Sequence, residues 1–188
     1  MEEKARRVEE KTLTSKTLYE GRLVGLEVQE VMLPSGRKAV REIVRHGPAV
    51  AVLARLPDGR FLFVRQFRKP VEQALLEAVA GNREPGEDAE ACARRELEEE
   101  TGYRARRIRS LGFIYPSPGY VDERIDLFFT EVDAEPGPTR PDEDEHLDVV
   151  RLNRAEVLEQ LGDRIVDSKT LAVWLRGELL GLCGDGPA

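Results

Sequence analysis

The stretch from Gly81 to Tyr103, GNREPGEDAEACARRELEEETGY, constrains this chain more than any other. A loop punctuated by Pro85 and Gly86 runs into Ala89 to Glu100, a segment without proline, glycine or β-branched residues. That composition predicts a helix, with Asp88 as its N-cap and Gly102 placed to stop it. On the helix Glu96, Glu99 and Glu100 fall at i, i+3 and i+4, so their carboxylates crowd one face. Like charges at that spacing cost an isolated helix about 0.2–0.5 kcal/mol per pair. Hard divalent cations with oxygen ligands, Mg²⁺ above all, would offset the repulsion. The competing reading is a solvated acidic face partnered by Arg94 and Arg95.

Spacing decides between the two. Gly81 is followed after five residues by Glu87, and after seven more by Arg95-Glu96-Leu97-Glu98-Glu99-Glu100-Thr101-Gly102-Tyr103. This resembles the signature of the Nudix hydrolases: glycine, five residues, glutamate, seven residues, then Arg-Glu-aliphatic-X-Glu-Glu-X-Gly-aliphatic. Every fixed identity is present, and only the closing aliphatic is replaced, by Tyr103. Seven such identities coincide by chance about once in 10⁷ registers.

At 188 residues the chain can bury one substantial core. Its organisation reads as residues 1–45, a tail and antiparallel strands, followed by a hydrolase domain over 46–188. A net charge of −7 argues against nucleic acid or a membrane surface as partner, since either would select a basic footprint. It also makes an anionic substrate awkward unless cations or local arginines mediate binding. The alternating charges of Met1 to Lys11 are unlike a signal peptide, and no apolar run approaches a membrane span. Cys92 and Cys183 have no metal-ligand spacing, so a cytoplasmic enzyme without disulfides is expected.

Taken in order, Leu18 to Arg45 alternates as an N-terminal antiparallel hairpin or small sheet turning at Pro34-Ser35-Gly36. Pro48 to Leu56 is a continuous apolar run, expected as a buried central strand. Phe61 to Phe67, Leu75 to Val79, Arg106 to Tyr115, Ile125 to Val132 and Leu147 to Leu152 read as further strands. Asn153 is placed to cap one helix, and Asp167 or Ser168 another through Leu180. Trp174 on the latter is expected as a core anchor. The class is therefore α/β, and the Nudix resemblance implies an α/β/α sandwich around a mixed sheet.

Residues outside the signature resemble the ADP-ribose pyrophosphatase branch of that family. Pro116-Ser117-Pro118-Gly119 stands where the branch carries a proline about fifteen residues past the signature. Arg41-Glu42 resembles a pair that reaches substrate, and Arg65-Gln66-Phe67-Arg68 a strand whose last arginine contacts the diphosphate. A planar guanidinium suits that role because it pairs bidentately with phosphate. Tyr19 is the aromatic that the N-terminal region offers for stacking a base. In the acidic run Asp142-Glu143-Asp144-Glu145, the resemblance makes Glu143 the general base and Glu145 a metal ligand.

The resemblance further implies Mg²⁺, with Mn²⁺ or Zn²⁺ substituting, held by Glu96, Glu99, Glu100 and the Ala80 carbonyl, with Arg95 orienting the carboxylates. The implied activity is hydrolysis of ADP-ribose to AMP and ribose 5-phosphate by a homodimer. Another nucleoside diphosphate derivative (a sugar nucleotide, FAD or a dinucleoside polyphosphate) is the alternative substrate. A non-catalytic ADP-ribose sensor is the alternative of a different class.

Overall fold

The structure is a computed structural model and describes residues 8–140 and 146–184. The chain divides into two compact units, Met1–Gly47 with Ser117–Glu123, and Pro48–Pro116 with Arg124–Ala188.

In the first unit β1 (Lys11–Glu20), β2 (Val24–Met32) and β3 (Lys38–His46) form an antiparallel sheet in the order β1-β2-β3. The hairpin expected from Leu18 onward is β2 and β3, with β1 as a third strand. All ten residues of β1 are exposed, among them Leu18 and Tyr19. Ser117–Glu123 joins this sheet through β3. The Val44 amide donates to the Tyr120 carbonyl at 2.7 Å, and the Asp122 amide to the Val44 carbonyl at 3.2 Å.

The second unit is built on β4 (Ala49–Arg55), whose seven residues are all buried. β4 pairs in parallel with β9 (Ile125–Val132) and antiparallel with β5 (Phe61–Arg68), so the sheet is mixed. β8 (Ala105–Ile114) and β10 (Leu147–Leu152) complete the order β10-β5-β4-β9-β8. The region expected as one short strand is two: β6 (Gln73–Glu77) pairs with β5 and β7 (Val79–Asn82) pairs with β4. Ala78 is the single residue between them, where the chain changes partner.

Period-two alternation on β4 feeds two separate cores. Val50, Val52 and Ala54 pack with Cys92, Ala93 and Leu97 of α1 (Ala89–Thr101). Ala49, Ala51 and Leu53 pack on the opposite face with Val157 of α2 (Arg154–Gln160) and with Val173 and Trp174 of α3 (Ser168–Leu179). Helices on both faces of the sheet make the α/β/α sandwich and explain the continuous apolar run of β4. Trp174 is 2% exposed and meets Phe61 edge-on, with ring centroids 5.0 Å apart. No helix among the described residues is long and apolar enough to cross a membrane.

Candidate active site

The helix that carries the carboxylates is closed at both ends by its own sequence. Asp88 accepts from the amides of Glu90 and Ala91 at 2.9 and 3.3 Å. Gly102 takes φ +73° and donates to the Glu98 carbonyl at 2.9 Å. A side chain there would be strained, and a Cβ would lie 2.2 Å from the Gly137 carbonyl oxygen. Cys92, Ala93 and Leu97 turn one side of the helix to the sheet, which leaves Arg95, Glu96 and Glu99 at the helix surface. Glu100 lies deeper, at 3% exposure.

Arg95 organises this surface. Its Nε and Nη2 donate to the two oxygens of Glu87 at 2.9 and 3.0 Å. Nη1 reaches Glu96 Oε1 at 2.8 Å and Glu99 Oε2 at 2.9 Å, and Nη2 also reaches the Asn82 carbonyl at 3.2 Å. One guanidinium thus binds the loop to the helix and fixes the direction of three carboxylates. The Arg95 hydrogen bonds, with a further one from the Glu84 amide, hold the Glu87 carboxyl at about 2, well below its ordinary range. Glu87, followed by Glu96 and Glu99, pushes the Arg95 pKa up in return. Burial raises the Cys92 thiol to about 12, which leaves it a neutral packed group and no nucleophile.

Gly81 is the second fixed point. A Cβ on this residue would stand 1.9 Å from Glu96 Cδ, so only glycine lets the carboxylate lie against the backbone of β7. That close approach places a carboxylate beside the strand that carries the Ala80 carbonyl. The donor set of Glu96, Glu99, Glu100 and this carbonyl is all hard oxygen, which fits a hard divalent cation and disfavours a soft one. Among the described residues no three acidic, histidine or cysteine side chains are already gathered into a metal-binding group. Arg95 holds an oxygen of Glu96 and one of Glu99 instead.

The sequence-derived substrate residues fall into two groups. Arg41, on β3, pairs with Glu10 through Nε at 2.9 Å, and Glu42 is exposed opposite Val28 of β2. Pro118 and Gly119 form a turn whose Ser117 carbonyl accepts from the amides of Tyr120 and Val121 at 3.2 and 3.1 Å. These four belong to the first unit. Arg68 belongs with the signature helix in the second, where it grips both oxygens of Glu77 at 2.8 and 2.7 Å. Glu143 and Glu145 lie outside the described residues.

Glu77 escaped the sequence reading. Its side chain is 1% exposed and also meets the Lys169 ammonium. Burial alone would raise its pKa, but the Arg68 hydrogen bonds and the Lys169 charge outweigh that and hold it low. Asp167, expected as a helix cap, is one, and it adds an ion pair to Lys169 at 3.1 Å.

Residues 45–173 match the NUDIX domain. The chain is 41% identical over 165 residues to the ADP-ribose pyrophosphatase of Bacillus subtilis (strain 168), covering 87% of this chain and 89% of the relative. It is 42% identical over 165 residues to the methanol dehydrogenase activator of Bacillus methanolicus, with the same coverages. A solved crystal structure of an ADP compounds hydrolase superposes with a TM-score of 0.83 at 24% identity, covering 95% of this chain and 97% of that one, a likeness of fold. Enzymes of this family generally work with divalent metal ions. With the signature complete, the sandwich matched and two thirds of its length within the domain, the chain belongs to the Nudix hydrolases.

Proposed function

We propose that the protein hydrolyses the diphosphate of ADP-ribose to AMP and ribose 5-phosphate in a Mg²⁺-dependent reaction. The observation that carries this reading is the approach of Glu96 to Gly81, beside carboxylates already aimed by Arg95. The 41% identity to a Bacillus ADP-ribose pyrophosphatase supports the choice of substrate.

Divalent cations held by Glu96, Glu99, Glu100 and the Ala80 carbonyl would neutralise the diphosphate and favour hydroxide formation at neutral pH. Arg95 keeps the carboxylates from rotating away, and Glu87 holds Arg95 in place. Arg68, fixed by Glu77 on one edge, has its remaining guanidinium nitrogen for a phosphate oxygen. Arg41, Glu42, Pro118 and Gly119 contact the substrate in this reading. Glu143 takes the proton of the attacking water, and Glu145 adds a metal ligand. The exposed face of β1, with Leu18 and Tyr19, supports residues 1–45 as the contact surface of a homodimer. Two buried free thiols are in keeping with a reducing, cytoplasmic setting.

The test is product release from ADP-ribose with Mg²⁺ and with EDTA, beside GDP-mannose, FAD and a dinucleoside polyphosphate. AMP formation that needs Mg²⁺ and is fastest from ADP-ribose is the expected result. Preference for another compound keeps the chemistry and removes the roles of Arg41 and Arg68. Turnover of none of them removes the enzymatic reading.

A further inference from the structure

Ala78 is the residue at which the chain leaves β5 and joins β4, and its amide donates to neither strand. It donates at 2.8 Å to the hydroxyl of Thr170, a fully buried residue in the first turn of α3. The Thr170 hydroxyl in turn donates to Asp167 Oδ2 at 2.6 Å, and Asp167 also accepts from the Thr170 amide at 2.9 Å. Asp167 pairs with Lys169, whose ammonium binds Glu77, the residue just before Ala78. Glu77 is fixed from its other side by Arg68. Two carboxylates and two cations form a closed network, with Lys169 only 12% exposed. The crossing at Glu77–Ala78 is therefore clamped by its side chain and by its backbone to one helix end. β7 begins at the next residue and carries Ala80 and then Gly81, against which the Glu96 carboxylate lies.

We propose that Thr170 and Lys169 are positioning residues for cation binding: they fix the Ala78 crossing and so set where the Ala80 carbonyl stands relative to Glu96. The proposal rests on the reading of that carbonyl and Glu96 as cation ligands. Neither residue is among those ligands, so each acts through the strand. Loss of the outer support of a metal ligand typically costs ten- to hundredfold in affinity.

The experiment is a calorimetric Mg²⁺ titration of the full-length protein without substrate, accompanied by thermal melts and by kcat against Mg²⁺ concentration. Thr170→Val keeps the shape and removes the hydroxyl, whereas Thr170→Ser retains it. Lys169→Met keeps the stem and removes the charge. Glu178→Gln, which loosens the Arg154 pair elsewhere on α3, controls for simple destabilisation of that helix. Thr170→Val and Lys169→Met should weaken Mg²⁺ binding about tenfold, with kcat recovered at saturating Mg²⁺. Thr170→Ser and Glu178→Gln should stay within about twofold of the parent. If Thr170→Val does not fold, Lys169→Met decides alone. Unchanged Mg²⁺ affinity in the folded variants, or an equal loss in Glu178→Gln, overturns the positioning role and leaves the functional reading intact. Failure of the parent protein to bind Mg²⁺ overturns both.

Discussion

Two clusters of acidic side chains in the second unit meet opposite fates. Around α1, Glu87, Glu96 and Glu99 share one guanidinium, that of Arg95, with Glu100 on the same helix. At the start of α3, Glu77 and Asp167 meet Arg68 and Lys169, one cation for each carboxylate. Glu77 is the most secluded of these carboxylates, its side chain 1% exposed against 12% for Glu96, 14% for Glu87 and 38% for Glu99. Burying unbalanced charge is costly, so a neutral network can serve as internal scaffold, whereas a negative excess persists where solvent or a cation can reach it. Charge bookkeeping of this kind separates a carboxylate that holds the fold from one available to a metal.

The largest expected effect comes from the excess side of the comparison. Glu100→Gln should lower kcat for ADP-ribose on the order of 10³-fold, the scale of losing a preorganised electrostatic contact, while the melting temperature moves by only a few degrees. Near-normal turnover would place Glu100 with the scaffold and break the distinction. Glu77→Gln should do the reverse in kind, costing about 3 kcal/mol in urea unfolding because Arg68 and Lys169 lose their shared carboxylate. A loss below about 1 kcal/mol would mean that the network is not structural.

The smallest effect concerns Glu87, which belongs to the acidic cluster yet serves as scaffold for Arg95. Its folded pKa of about 2 lies below the ordinary glutamate value near 4.3. The contribution of Glu87 is then complete above pH 4.3 and fades as pH falls towards 2. Melting temperature against pH should drop across that window, and Glu87→Gln should flatten part of the drop. A profile that is identical in the variant would assign the acid sensitivity to other carboxylates.

The sequence made the signature helix legible because its caps, its spacing and its lack of breakers all agree locally. β9 and β10 were equally plain, being apolar or alternating runs bounded by turns. β1 was not, since KTLTSKTLYE carries no continuous apolar face and all of it is exposed; its threonines and Tyr19 were weak strand signals. The grip of Arg95 on Glu87 and Glu99 was open to inference from helical spacing and the closing loop. The pairing of Arg68 with Glu77 depends on the β5–β6 register, and Lys169 arrives from 92 residues further along. Contacts of that kind follow from topology, which local patterns do not encode.

The alternation of β4 has one further consequence. Because its odd and even residues line different compartments, a single inserted or deleted residue would exchange their contents at one stroke. The wall that seats α1 cannot be lengthened without evicting the side chains that seat α2 and α3. Diversification of this architecture must therefore proceed by substitution within β4 and by insertion beyond its ends.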